Sequence, residues 1–78
     1  MAKSKVIRCV FPFDPTFKVD DELERIAWAH SGGRTGAGTG FDDRDIDFEV
    51  PADRADSVVA AMQKVLEPLR GSVTADGE

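Results

Sequence analysis

The chain of 78 residues has one cysteine, one tryptophan and no tyrosine. A single cysteine cannot form an internal disulfide, so we expect a fold that does not depend on oxidation and a reducing compartment. No apolar run approaches the ~20 residues of a membrane span, and the N-terminal residues lack the apolar segment of a signal peptide. We therefore expect a cytoplasmic protein with no membrane partner.

Positive charge is also scarce, with 10 Lys and Arg against 15 Asp and Glu and a formal net charge of −5. Nucleic-acid binding requires a basic patch that neutralises phosphates, so we expect no nucleic-acid partner. A basic or neutral protein partner remains compatible with this charge. Hydrophobic residues make up 41% of the chain, which is typical of a small globular domain with one modest core.

Apolar periodicity predicts one strand and two helices. Alternating side chains predict the strand at residues 5–13, and apolar residues at helical spacing predict a first helix at residues 21–30, with Asp20 or Asp21 as its N-cap. A second helix begins after Pro51 with Asp53 as its N-cap, and it ends near Glu67 because Pro68 follows.

A glycine-alternating segment followed by an acidic strand predicts a β-hairpin. A two-residue turn at Asp42 and Asp43 would place Phe41 opposite Arg44, and this register assigns every side chain to a face. The core face would carry Thr35, Ala37, Thr39, Phe41, Ile46, Phe48 and Val50. The other face would carry Gly36, Gly38, Gly40, Asp45, Asp47 and Glu49. Glycine has low strand propensity, so an irregular loop in place of the first hairpin strand is the alternative.

These elements predict an α+β fold with the order βαββα. Three antiparallel strands in the order 1-3-2 would carry both helices on one face, as in a ferredoxin-like fold that lacks its fourth strand. Residues 1–71 would form the single domain and residues 72–78 a flexible tail. The outer edge of strand 1 would then be unpaired, which makes a homodimer through strand 1 plausible.

The hairpin residues also carry a resemblance. The stretch Gly36-Ala37-Gly38-Thr39-Gly40-Phe41, followed by Arg44-Asp45-Ile46, resembles small uncharacterised bacterial ferredoxin-like proteins with a Gly-rich stretch before an Arg-Asp-Ile strand. The resemblance implies the βαββα fold and no particular activity.

The glycines do not form a nucleotide-binding motif. A dinucleotide fingerprint starting at Gly36 or Gly38 would require glycine where Phe41 or Asp43 stands, and a Walker loop would require lysine at Thr39. The five carboxylates at positions 42–49 lack the spacing of an EF-hand. We therefore predict no cofactor and no metal.

The sequence also lacks a recognisable set of catalytic residues. Cys9 alternates with core residues and is expected to act as a small buried hydrophobe. His30 lies on the apolar stripe of the first helix and is expected to be partly packed against the core. No third residue orients a Cys9–His30 pair, so we predict that the protein is not an enzyme.

Two binding functions remain. The first is a small intracellular protein-interaction or inhibitor-type module that uses Asp45, Asp47 and Glu49 on the sheet, with Trp28 as a further contact. Trp28 lies off the buried stripe of its helix, and its alternative is packing against the Phe17 loop or the second helix. The second function is a dimeric ligand-sensing regulatory domain whose small-molecule site is lined by Gly36, Gly38 and Gly40.

Overall fold

The computed structural model describes residues 3–13, 15–40 and 42–76. Four strands and two α-helices follow one another along this part of the chain, with short 3-10 turns at Ala52–Arg54 and Glu67–Leu69. In order, the elements are β1 (Ser4–Pro12), α1 (Lys18–Ala29), β2 (Gly33–Thr39), β3 (Asp43–Pro51), α2 (Ala55–Leu66) and β4 (Ser72–Asp76). Neither helix is long and apolar enough, within these described residues, to cross a membrane.

The sheet has four antiparallel strands in the order β2-β3-β1-β4, so the prediction of three strands is wrong. The missing strand is β4, at residues that we expected to form a tail. It pairs with β1 from Val10 opposite Ser72 to Val6 opposite Asp76. Both edges of β1 are therefore occupied within the chain, which removes the free strand 1 edge on which the predicted homodimer depended. The fold is a complete ferredoxin-like α+β fold.

The sequence does not predict β4, because this strand is short and mostly polar. Val73 packs against the core, whereas Ser72, Thr74 and Ala75 are exposed. Hydrogen bonding to β1 forms this edge strand, and an apolar pattern of its own contributes little.

The core lies between one face of the sheet and both helices. Side chains alternate along β1 and β3, and every second one is buried against the buried stripes of the helices. The fully buried strand residues are Ile7, Cys9, Phe11, Ile46, Phe48 and Val50, and the fully buried helix residues include Leu23, Ala27, Val58, Met62 and Leu66. Full burial of a large apolar side chain contributes roughly 1.5–3 kcal/mol, so this layer supplies most of the stability.

The β2–β3 hairpin forms, and the loop alternative for the glycine stretch is wrong. Its register differs from the prediction by two residues: Thr39, not Phe41, lies opposite Arg44, and the Gly40 N–H donates to the Asp43 carbonyl at 2.8 Å. Phe41 itself lies outside the described residues. A shift of two preserves which side chains share a face, because side chains alternate with a period of two.

A β-bulge at Thr35, between Arg34 and Gly36, interrupts the ladder of the hairpin. Ala37 and Thr39 are exposed although they lie on the helix side of the sheet, and Thr35, at the bulge, is exposed as well. The expectation that they belong to the core is therefore wrong. β2 extends beyond the area that the helices cover.

The helix termini also differ from the predicted caps. α1 begins at Lys18, and its N-cap is Phe17, which has the left-handed φ of 59° and provides no side-chain cap. Asp53 falls in the 3-10 turn before α2, whose N-cap is Arg54. The predicted end of the second helix is confirmed, since α2 ends at Leu66 before the turn that contains Pro68.

After each helix, one glycine lets the chain pass close to a neighbouring strand of the sheet. A Cβ atom at Gly32, after α1, would lie 2.5 Å from the Glu49 carbonyl oxygen, and one at Gly71, after α2, would lie 2.8 Å from the Val10 carbonyl oxygen. Real Cβ atoms do not approach so closely, so side chains at these positions would push β2 and β4 off their neighbours.

A buried ion pair joins α1 to the hairpin. Arg44 on β3 donates from Nε to both carboxylate oxygens of Asp20, at 3.0 and 2.8 Å, and Asp20 is only 3% exposed. Arg44 also donates from a terminal nitrogen to the Thr39 hydroxyl at 2.8 Å. Its guanidinium lies 5.2 Å from the ring centroid of Phe17, which makes an edge contact with Phe13.

We expect Arg44→Met to destabilise the protein by about 3–5 kcal/mol, because it leaves the Asp20 carboxylate buried without a counter-charge. The measurement is urea unfolding followed by circular dichroism. Arg8→Met is the matched control: it breaks the more exposed ion pair with Asp47 and should cost about 0–1 kcal/mol. Equal losses in the two variants would contradict a special role for the buried pair.

Burial of the Cys9 thiol makes the free energy of unfolding depend on pH. Its Sγ contacts the Met62 Sδ at 3.5 Å, and burial, with a smaller effect of the Asp47 carboxylate, raises the pKa of the thiol from 9.0 to about 12. The unfolded chain loses this proton above pH 9 while the folded protein keeps it. This group therefore lowers the free energy of unfolding between pH 9 and 12, by about 1.4 kcal/mol per pH unit.

We expect the stability difference between the wild type and Cys9→Ala to shrink across that alkaline range, measured by urea unfolding at several pH values. A thiol reagent at pH 8 should leave the folded protein unmodified and label the unfolded chain. Rapid labelling of the folded protein would contradict the burial of Cys9.

Candidate functional site

The acidic strand residues lie on the face of the sheet that the helices leave open. Asp45, Asp47 and Glu49 alternate on β3 with the buried residues of the core. Gly38 lies opposite Asp45 and Gly36 opposite Asp47, and a Cβ at Gly38 would be 3.1 Å from Asp45 Oδ1. Gly38 therefore leaves room for the Asp45 carboxylate, and the glycines and carboxylates share the face to which the sequence assigned them.

Side chains on β1 donate hydrogen bonds to two of these carboxylates. Arg8 on β1 donates to both oxygens of Asp47, at 2.9 and 3.3 Å, and the Ser4 hydroxyl donates to Glu49 at 2.8 Å. The Arg8 side chain is 58% exposed. The open face is therefore acidic overall but carries a cation at its centre.

Trp28 does not share this face. It lies on α1, on the helix side of the sheet, and is 63% exposed. The alternative that Trp28 packs against the Phe17 loop or the second helix is wrong. The structure does not bring Trp28 together with Asp45, Asp47 and Glu49.

A pocket of about 380 Å³ lies at the end of the sheet where β2 begins and β3 ends. We call it the end pocket. Its lining comes from the start of β1, the α1–β2 turn and the end of β3: Lys3, Ser4, Ser31, Gly32, Gly33, Arg34, Thr35, Glu49, Val50 and Pro51. Among the predicted ligand residues, Gly36, Gly38 and Gly40 do not line it, whereas Glu49, predicted for a protein partner, does.

The end pocket exists because of the way α1 stops. Ser31 has a left-handed φ of 65°, and the Gly32 N–H donates back to the Ala27 carbonyl at 2.7 Å, which ends the helix and turns the chain sharply. A Cβ at the following residue, Gly33, would meet no atom within 4 Å. The adjacent glycines Gly32 and Gly33 after the first helix are the signal in the sequence that could have indicated this site.

The end pocket carries both signs of charge. Lys3 and Arg34 are cationic, Glu49 is anionic, and Ser31 and Thr35 add hydroxyl groups. Arg34 is held in place by Glu24 of α1, whose Oε1 accepts from the guanidinium at 2.9 Å. Such a lining can bind the acidic and basic groups of one small polar molecule.

The two candidate catalytic residues make separate contacts. Cys9 is fully buried beside Met62, and its raised pKa keeps it a thiol at neutral pH, which is a poor nucleophile. His30 Nδ1 donates to the Ile26 carbonyl at 2.8 Å at the end of α1. Within the described part of the chain, no group of three or more His, Cys, Asp or Glu side chains is placed to hold a metal ion.

No protein-family model and no curated protein matches this sequence. Solved structures do match its fold. The regulatory subunit of aspartate kinase from Thermus thermophilus, in its ligand-free form, aligns with a TM-score of 0.74 and 16% identity over 97% of this chain and 52% of that one. A second protein from Thermus thermophilus, ttk003000868, aligns with a TM-score of 0.73 and 13% identity over 96% of this chain and 11% of that one.

A designed protein has the same architecture: Ferredog-Diesel aligns with a TM-score of 0.64 and 9% identity, over 99% of this chain and 87% of its own. The present chain spans about half the length of the aspartate kinase subunit and about a tenth of the other Thermus protein. At these identities the likeness shows a common ferredoxin-like fold.

Proposed function

We propose that this chain is a non-catalytic regulatory module that binds a small polar molecule in the end pocket. The observation that carries the proposal is the pocket itself, whose volume of about 380 Å³ falls within the usual range of small-molecule sites. The β-bulge at Thr35 supports it, because bulges often redirect side chains beside binding sites.

The chemistry of the lining supports a ligand with both an acidic and a basic group. Lys3 and Arg34 would bind the acidic group, Glu49 the basic group, and the hydroxyls of Ser31 and Thr35 would fix its orientation. Amino acids are the simplest molecules with this pair of groups.

The fold gives coarser support. A regulatory subunit of aspartate kinase has the same topology, and regulation by a bound molecule requires no catalytic residue. Cys9, buried as a thiol, fits a function without nucleophilic chemistry.

We expect one or more compounds in a panel of free amino acids to raise the melting temperature in a thermal-shift assay. Saturation at about 100 times the dissociation constant stabilises by ~2.7 kcal/mol, which for a domain of this size corresponds to a shift of about 10 °C or more. Gly33→Leu fills the pocket without a backbone clash and should abolish the shift.

Gly36→Ala is the matched control. It also adds a side chain to β2, but outside the pocket, where its Cβ would lie 3.9 Å from Asp47 Oδ2. The proposal fails if no amino acid shifts the wild type, or if Gly33→Leu responds as the wild type does.

The open face supports a second candidate, the binding of a basic segment of another protein. Asp43, Asp45, Asp47 and Glu49 lie on this face of β3, and Arg8 is the cation that the described part of β1 places opposite them. Val6, 37% exposed on the same face, adds apolar surface, and Gly36 and Gly38 keep its margin flat. A partner with lysine or arginine side chains would complement this charge.

We expect a lysine-rich peptide to bind the wild type more weakly as salt is raised, when followed by calorimetry. Asp45→Lys should reduce the affinity about tenfold or more, because Asp47 and Glu49 are already partly satisfied by Arg8 and Ser4. Glu22→Lys makes the same charge change at an exposed position on α1 and is the control. Equal losses in both variants would indicate a response to net charge alone and would contradict a site on the open face.

A further inference from the structure

One cation of the end pocket, Arg34, has an anionic partner that does not line the pocket. The Arg34 guanidinium on β2 donates to Glu24 Oε1 on α1 at 2.9 Å, and the two side chains are only 31% and 23% exposed. A guanidinium has several N–H donors in a fixed plane, so Arg34 keeps donors for a ligand while Glu24 compensates its charge.

The register of the hairpin explains why Arg34 pairs with α1. Arg34 lies opposite the buried Phe48, so its side chain starts on the helix side of the sheet, where Glu24 is within reach. Glu49 lies opposite Gly33, and its side chain starts on the open face. The cation and the anion thus enter the end pocket from opposite sides of the sheet, and they form no ion pair with each other.

The other two charged groups of the lining have no ionic partner among the described residues. Glu49 accepts a hydrogen bond from the neutral Ser4 hydroxyl at 2.8 Å. Lys3 is fixed through its backbone, since its carbonyl accepts from the Ala52 N–H at 2.8 Å, and its ammonium group makes no ion pair within the described part of the chain. The end pocket therefore offers one uncompensated cation and one uncompensated anion.

The charged groups at the end pocket balance. Lys3 and Arg34 are positive, and Glu24 and Glu49 are negative. A molecule with one carboxylate and one ammonium group leaves every one of these charges paired. A second carboxylate on the molecule would find no uncompensated cation, and a second ammonium group would find no uncompensated anion. Either would enter a partly enclosed site unpaired, which weakens binding.

We infer that the end pocket selects amino acids with uncharged side chains, and that Glu24 sets this selectivity as a positioning residue behind Arg34. The inference rests on the function proposed for the end pocket and narrows its class of ligand. Without the Glu24 carboxylate, Arg34 would be a second uncompensated cation, and the pocket would favour dicarboxylic amino acids.

Calorimetric titration of the full chain with the common amino acids tests the inference. We expect the tightest ligand of the wild type to have an uncharged side chain. In Glu24→Gln, which keeps the shape of the side chain and removes its charge, the affinity for glutamate should rise about fivefold or more relative to the affinity for that ligand. Comparing the same two ligands in both proteins cancels the effect of ligand size.

Glu22→Gln is the matched control. It makes the same change on α1 at an exposed residue that lies beside Lys18 and Arg25, away from the end pocket, and it should leave the ratio of affinities unchanged. If Glu24 only supported the structure, Glu24→Gln would weaken all ligands equally, and an unchanged ratio would overturn the inference. Tightest binding of aspartate or glutamate to the wild type would overturn it while leaving the proposed function intact. Binding of no amino acid would overturn both.

Discussion

The ion pair between Arg44 and Asp20 is the interaction on which one end of the molecule depends. It joins the first turn of α1 to β3, and through Thr39 it also holds β2. An anion in the first turn of a helix is favoured by the helix dipole, so Asp20 contributes at the N-terminus of α1 without acting as its cap. Because both charges are almost completely buried, neither can be removed without leaving the other unpaired.

Both helices return to the sheet through the same kind of turn. The turn after α1 lies beside Glu49, at the end of the sheet away from the ion pair, and the turn after α2 lies beside Val10, at the same end as the pair. After each helix, a residue with left-handed φ (Ser31 or Arg70) is followed by a glycine that packs against a neighbouring strand. These two turns bring β2 against β3 and β4 against β1. At the first of these turns a second glycine, Gly33, follows, and its missing side chain opens the end pocket.

The candidate binding surfaces are separated by the layers of the fold. The acidic residues face away from the helices, Trp28 lies on the helix side, and the end pocket lies where the α1–β2 turn meets the end of β3. The bulge in β2 contributes to one of these surfaces, because Thr35 lines the end pocket.

The sequence by itself determined both helices and the central residues of β1 and β3. It also determined the alternation of Asp45 and Asp47 with Ile46 and Phe48, because all of these follow from local apolar periodicity. The tertiary structure alone decided what depends on contacts between distant residues. β4 forms because its backbone can hydrogen-bond to β1. The hairpin register is set together with the Arg44–Asp20 pair. The end pocket forms where three segments that are far apart in sequence meet. Such contacts leave no periodic signal in the chain, since each requires the folded positions of the others.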